Sequence, residues 1–304
     1  MRFLMRRAMR CVSSRGPARM SSTASTALRA RQVVELARIE ARLESLGQLG
    51  VLVTAMRSMA AVRAREAQDA LIGTQAFCAT VDRAIASLSQ LPGRKTPDET
   101  GAPVLLVITS ENGFVGGFNT RIMEHVQEIR MPEERLVLIG RRGQILAGEM
   151  HMQPEIALPM TSRVSGVTQL ARRATNRLMG ATHARVVFAQ HEKSGTYAVV
   201  HRSVLPLAAD PPQNAAAAPP LHHLPTPELL DRLAGEYLFA KIAHALMESL
   251  ACENNVRLLT MDAATRNIDS RFDKLRREER QALQEQTTSD MLDVIVGSEA
   301  VEGK

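Results

Sequence analysis

A chain of 304 residues with 45% hydrophobic residues holds enough apolar material for one large domain or two smaller ones. Aromatics are scarce (no Trp, 2 Tyr, 7 Phe), which argues against base stacking on nucleic acid, and a composition rich in Ala, Leu, Arg, Glu and Met favours extended helix over sandwich or barrel. The formal charge of +6 is an end effect: residues 1–34 carry eight Arg and no acid, and removing these from the 38 basic residues leaves 30 against 32 acidic, a net charge of −2, so no basic groove for phosphates follows from the total.

Residues 1–29 are Arg- and Ser-rich and free of acids. Two readings stay open: a transit-like peptide, or an over-long gene start with translation beginning at Met20 or nearby. Arginines break the apolar run a secretory signal needs, and no stretch is expected to reach the ~18–20 apolar residues of a membrane span. Cys11, Cys78 and Cys252 stand apart, with no CxxC and no His at metal spacing, and read as reduced packing residues.

Residues 30–91 form a long helical pattern without Pro, in which Leu36, Ile39, Leu43, Leu46, Gly50, Val53, Arg57 and Ala60 fall on heptad a/d positions. Gly50 inside it costs roughly 0.5–1 kcal/mol relative to Ala. A Pro/Gly-rich linker (92–102) leads into an α/β unit at 103–207. There PVLLVIT (103–109), ERLVLIG (134–140), ARVVFAQHE (184–192) and TYAVVHRSVLPL (196–207) read as strands, and NTRIMEHVQEIR (119–130) and GVTQLARRATNRLMG (166–180) as helices. Alternating segments of these lengths imply a partly parallel, Rossmann-like sheet covered by helices. The loop TSENGFVGGFN (109–119) lacks the Lys-Ser/Thr of a phosphate loop, and Gly113, Gly116 and Gly117 do not fit GxGxxG; its glycines are expected to permit a tight turn.

Residues 208–227 are low in complexity and Pro/Ala-rich, an extended link. His222 and His223 within it have no Cys or carboxylate at ligand spacing and are not taken as a metal site. From 228 to 304 helical composition returns, and Leu258, Met261, Ala264, Ile268, Phe272 and Leu275 recur at steps of three and four. A helix of about 100 Å, at ~1.5 Å per residue, is too long for burial in a compact domain and needs a partner alongside; the first long helix is the natural antiparallel one. The fold class is therefore α/β plus coiled coil, with both terminal helices enclosing a central α/β domain. No Ser/His/Asp, Cys/His, paired-carboxylate or metal constellation emerges, so no catalytic residue, cofactor or metal ligand is assigned.

The run EYLFAKIAHALMESLACENNVRLLTMDAATRN (Glu236–Asn267) and the ending DMLDVIVGSEAV resemble the C-terminal helix of the gamma subunit of F-type ATP synthases, the central rotor shaft. IEARLESLGQLGVLVTAMRSMAAVRAREAQ (Ile39–Gln68) resembles that family's N-terminal helix, TSENGFVGGFN its first strand-to-helix loop, and Gly140-Arg141-Arg142-Gly143 the turn after its second strand. The resemblance extends over Ile39–Val301. It implies a non-catalytic stalk that couples ion-driven rotation of a membrane c-ring to ATP synthesis or hydrolysis, with alpha and beta subunits, an epsilon-type subunit and the c-ring as partners, and with no nucleic acid or small-molecule ligand. By the same resemblance Met56, Arg57 and Arg63 fall on the Met-Lys region that faces the beta subunit. Near the tip Leu283 and Gln284 occupy the family's Arg-Gln pair while Arg280 lies one turn earlier; Gln284 and Thr288 carry over, and Val294, Ile295 and Val296 form an uncharged tip suited to turning in an apolar sleeve. Ser58, Glu111, Asn112, Phe114, Val115 and Leu283 depart from the pattern. The implied location is peripheral, on the cytoplasmic face of a bacterial inner membrane or the matrix side of the mitochondrial one. Alternatives are the gamma subunit of a divergent, ATP-hydrolysing or Na⁺-pumping enzyme, a stand-alone α/β regulator with coiled-coil arms, and a dimerising coiled-coil scaffold.

Overall fold

The computed structural model describes residues 20–88, 101–192, 196–206 and 223–302. The basic segment 1–19, most of the 92–102 linker and the Pro/Ala-rich stretch with His222 lie outside the described residues. Eleven elements follow in order: α1 (Met20–Leu88), β1 (Val104–Ile108), α2 (Phe118–Ile129), β2 (Arg135–Ile139), α3 (Arg141–Glu149), β3 (Ile156–Leu158), a 3₁₀ turn (Val164–Gly166), α4 (Val167–Leu178), β4 (Ala184–His191), β5 (Tyr197–Leu205) and α5 (Thr226–Glu302). The described residues form two compact units, one within 53–265 and one of 20–52 with 266–302.

The unit of residues 53–265 is built on a five-stranded sheet of order β3-β2-β1-β4-β5. β1 pairs parallel with β2 and β4, β2 pairs parallel with β3, and β5 closes the other edge antiparallel to β4. Every residue of β1 is buried, because the strand is covered on both faces and its side chains alternate between them. Val104, Leu106 and Ile108 pack with Leu170, Ala174 and Leu178 of α4 and Ile242, Leu246 and Leu250 of α5. Leu105 and Val107 pack with Phe118, Ile122 and Val126 of α2. Two elements escape the sequence pattern: α3, diluted by Gly143 and Gly148 and read as a turn, and β3, only three residues long.

Within this unit α1 and α5 run antiparallel. Arg57 pairs with Asp262, whereas farther along α1 the Cys78 thiol donates to the Ala240 carbonyl (3.3 Å) and Asp82 accepts from Lys241 (2.8 Å). The expectation that the long C-terminal helix could not be buried is corrected here. From Tyr237 to Asn254 nearly every residue of α5 is buried or half-buried, because the helix lies between the sheet and α1. Its apolar residues serve two faces, Ile242, Leu246 and Leu250 in the core with the sheet and Tyr237 and Ala240 with Cys78, Val81 and Ile85 of α1, so this stretch is buried whatever the total length of the helix.

Cys78 and Cys252 are both free and buried. Burial pushes the Cys252 thiol up to about 12, with Glu248 adding to the shift, and burial also raises Cys78. Since the thiolate is the reactive species, both are expected to resist Ellman's reagent in the folded chain at neutral pH and to react on denaturation. Fast reaction of either in the native chain would contradict this packing.

In the unit formed by residues 20–52 and 266–302 the two helix segments meet along heptad seams. On α1 the less exposed positions are Gln32, Leu36, Ile39, Leu43, Leu46 and Gly50, in steps of four and three. A Cβ at Gly50 would sit 3.8 Å from Ile268 Cγ2, so the glycine marks a close approach of the helices without forbidding a small side chain. On α5 the seam runs through Ile268, Phe272, Leu275, Glu279, Ala282, Gln286, Ser289 and Asp293.

One composition-based expectation fails. An 18-residue stretch within Ala30–Ser87 of α1 is, by length and composition, long and apolar enough to cross a membrane, and only 6% of it is buried. Residues such as Leu49, Val51, Leu52, Met59 and Val62 stay exposed while few charges interrupt them. An uncovered apolar helix face calls for cover by lipid or by protein. The heptad seam through the same helix marks it as one that packs on protein.

Candidate functional site: a loop cavity and a helix stripe

The first surface, in the unit of residues 53–265, begins at the loop from Thr109 to Asn119. The loop is a fixed clip rather than an open cradle. Ser110 N donates to Asn119 Oδ1 (2.9 Å), Asn119 Nδ2 donates to Ser110 Oγ (2.8 Å), and Ser110 Oγ donates to the Asn112 carbonyl (2.8 Å). The Glu111 carboxylate accepts from the backbone N–H groups of Arg141 (3.2 Å) and Met160 (2.9 Å), so it caps the first turn of α3, where a negative charge is favoured. Gly140, at φ 103, is required because a Cβ there would collide with the backbone of Thr109. Within the loop Gly116 takes a left-handed conformation (φ 52), the kind of turn its glycines permit.

At the crown of the loop Phe114 takes a left-handed conformation (φ 61) and stays exposed. That geometry is uncommon for a residue with a Cβ. Beneath it lies a cavity of about 300 Å³ lined by Met56, Met59, Ala60, Arg63, Asn112, Gly113, Phe114, Asn254 and Arg257. Arg257 is its anchor, buried and donating to Glu253 Oε1 (2.7 Å), Asn254 Oδ1 (3.0 Å), the Gly113 carbonyl (3.4 Å) and the Asn112 carbonyl (3.5 Å). Burial pushes the Glu253 carboxyl up to about 7; Arg257 and Arg63 act to lower it and Glu111 to raise it.

Of the residues singled out from sequence, Met56 and Arg63 come together in this cavity, both half-buried. Arg57 does not join them. The heptad pattern puts it on the α1 seam, but its side chain is about half exposed (51%) and pairs with Asp262, while Met56 takes the less exposed position. The reason is drift: a 3.6-residue helix shifts against a strict heptad by ~20° per repeat, enough to move the contact by one residue. Sequence reasoning missed Glu253, Asn254 and Arg257 as a cluster. Their signal was the i,i+4 spacing of Glu253 and Arg257.

The second surface belongs to the other unit and lies on the last part of α5. Arg280, Gln284 and Thr288 are all exposed, and with Met291 and Ile295 they follow steps of four, four, three and four, one continuous stripe on the face opposite the seam. The Thr288 hydroxyl donates to the Gln284 carbonyl (2.8 Å), so part of its hydrogen-bonding capacity is used within the helix. Val294 is 72% exposed on a flank of the same helix, and the side chain of Val296 lies outside the described residues. Polarity here is inverted. The seam is polar at Gln286, Ser289 and Asp293, whereas the large apolar side chains of Leu283, Met291, Leu292, Val294 and Ile295 point outward.

Comparison with known proteins supplies the context for these surfaces. The family model described as ATP synthase matches residues 35–301. The ATP synthase gamma chain of Anaeromyxobacter dehalogenans (strain 2CP-C) is 27% identical over 294 residues, covering 86% of this chain and 98% of that one. The ATP synthase gamma chain of Geotalea daltonii is 22% identical over 289 residues, covering 89% and 100%. Among solved structures, a chain of the rotor of the Euglena gracilis mitochondrial ATP synthase superposes with a TM-score of 0.62 at 13% identity, covering 83% of this chain and 98% of that one. A chain of the OSCP/F1/c-ring assembly from the same organism gives a TM-score of 0.67 at 12% identity, covering 88% and 95%.

Proposed function

The chain belongs to the ATP synthase gamma-chain family, and on that premise we propose that it is the non-catalytic central-stalk subunit of a membrane-associated rotary ATP synthase, coupling rotation of a membrane ring to nucleotide turnover in an alpha/beta hexamer. Its partners in this reading are the alpha and beta subunits, an epsilon-type subunit and the c-ring. The observation that carries the proposal is the inverted polarity of α5 after residue 280. A helix that turns Met291, Leu292, Val294 and Ile295 outward while keeping Gln286, Ser289 and Asp293 in its seam is shaped for an enclosing apolar sleeve, not for water.

The coupling is differential contact. A turning, asymmetric helix pair changes the nucleotide affinity of a neighbouring site only if its contacts favour one conformation of that site over another. The stripe Arg280, Gln284, Thr288 and Ile295, and separately the surface around Met56, Arg57, Arg63 and Phe114, supply contacts of different chemistry from the faces beside them. Binding energy exchanged at such contacts is the currency of transmission; no residue of this chain has to touch the nucleotide.

Arg57 separates a partner role from a structural one. An exposed ion pair such as Arg57 with Asp262 contributes only about 0–1 kcal/mol to stability, so Arg57→Glu should leave the chain folded. It should weaken ATP-driven ion pumping in membrane vesicles relative to ATP hydrolysis, and the charge swap Arg57→Glu with Asp262→Arg should not restore pumping. Restoration by the swap would assign Arg57 to the intrachain pair alone, and unchanged pumping in Arg57→Glu would remove it from the coupling surface.

A further inference from the structure

Outside both surfaces, on the far side of α2, two histidines from distant parts of the sequence face each other. His125 sits on the half-exposed face of α2, and His201 lies in the exposed middle of the edge strand β5, in register with Val187 of β4. His125 Nε2 and His201 Nδ1 are 3.2 Å apart, with ring centroids at 5.4 Å and planes inclined by 31°. One turn along α2, Glu128 Oε2 lies 3.7 Å from the opposite nitrogen of His125, Nδ1.

We propose that His125 and His201 form a divalent transition-metal site, for an ion of the Zn²⁺, Ni²⁺ or Cu²⁺ class, that clamps α2 to the edge strand β5. Three observations converge on it. Imidazole nitrogens suit these ions, and two nitrogens each bonded at ~2.0–2.1 Å to a tetrahedral centre stand about 3.3–3.4 Å apart, close to the 3.2 Å seen here. Small ring rotations then suffice to aim both lone pairs at one ion. Glu128, with Oε2 at 3.7 Å from Nδ1 of His125, adds a negative charge beside the pair that favours a bound cation. The site also lies at the surface, with His201 exposed and His125 half-buried.

Metal-ligating groups gathered in threes do not occur among the described residues, so water, or a side chain from a partner, completes the coordination sphere. Binding requires both facing nitrogens to be unprotonated. The proton shared between the rings therefore moves to the outer nitrogen of His201, Nε2, and the metal takes its place. Because the ligands come from two elements 76 residues apart in sequence, the ion binds the folded chain in preference to the unfolded one and stabilises it.

The test is calorimetric titration of the EDTA-stripped full-length chain with Zn²⁺ and Ni²⁺, together with melting curves in both metals. One equivalent is expected to bind with a rise in Tm, and affinity should fall by at least tenfold in His125→Ala and in His201→Ala. Glu128→Gln should weaken binding less than either histidine variant does, while His223→Ala should bind as the parent does. Far-ultraviolet circular dichroism of each variant identifies any that fails to fold, and His201→Gln, which keeps a polar side chain on the strand, then replaces it. Absence of binding to the parent chain, or binding unaffected by loss of both His125 and His201, would overturn the site and leave a plain histidine-histidine hydrogen bond.

Discussion

Replacing Arg257 by alanine should destabilise the folded chain by about 3–5 kcal/mol above about pH 7, where Glu253 is ionised and paired in the parent, the usual consequence of removing one member of a buried ion pair. The guanidinium is held by Glu253 and Asn254 on its own helix and by the Asn112 and Gly113 carbonyls of the Thr109–Asn119 loop. Its loss leaves the Glu253 carboxyl buried without its partner, so that it must stay protonated, and two loop carbonyls without a donor. The loss should depend on pH with a definite sign. Glu253 is raised above the ordinary 4.5 to about 7, so the folded chain holds this proton more tightly than the unfolded one. The stability that proton confers is complete below about 4.5 and disappears as the pH climbs through about 7. Without Arg257, which acts to lower the value, the window extends upward, and the variant should be further from the parent at about pH 8 than at about pH 6. Denaturant unfolding at the two pH values reads this directly, and adding Glu253→Gln should recover part of the loss. Amide exchange at residues 110–117 should quicken in Arg257→Ala. A change under 1 kcal/mol, or a pH trend of the opposite sign, would show that Arg257 does not hold the loop.

Placing a charge on the outward stripe should be as damaging to assembly as the loss of Arg257 is to folding. Ile295→Asp puts a carboxylate on a face that, in the sleeve reading, loses its water on assembly. The effective cost of an unpaired buried ion is several kcal/mol, and every 1.4 kcal/mol is a factor of ten in association. The variant should thus bind the catalytic hexamer more than tenfold more weakly, or pump correspondingly less at equal hydrolysis. Ile295→Ala removes apolar area without adding charge and should be mild. In the seam the direction reverses: Gln286→Leu replaces a half-buried polar group and should leave stability level or improve it. Pumping by Ile295→Asp at the parent rate would exclude an apolar sleeve around that residue.

Much of this architecture could be read from sequence because period is a local property. The seam Leu36, Ile39, Leu43, Leu46, Gly50 announces itself in steps of three and four, and the alternation of apolar runs with amphipathic helices marks four of the five strands of the central sheet to within a residue or two. Failures came where local pattern and tertiary setting part company. α3 carries two glycines in nine residues and looks like loop until β2 and the Thr109 turn fix its start. Glu253 and Arg257 have the spacing of an ordinary solvated helix pair, and their burial comes from a loop more than 140 residues earlier in the chain. Arg57 was misplaced by one position on α1 for the opposite reason, since the pattern was right and the helix drifts against it. The His125 and His201 pair has no local signal at all, because only the stacking of α2 on β5 brings it together.

The central claim is that this chain is a stalk within a larger ATP-driven machine. Purification of the tagged chain from native membranes in mild detergent, with mass spectrometry and an ATPase assay of the eluate, tests it most directly. The account predicts that alpha, beta and epsilon-type subunits and a c-ring elute with the chain in a complex that hydrolyses ATP. Elution of the chain alone, or as a simple dimer without ATPase activity, would contradict it.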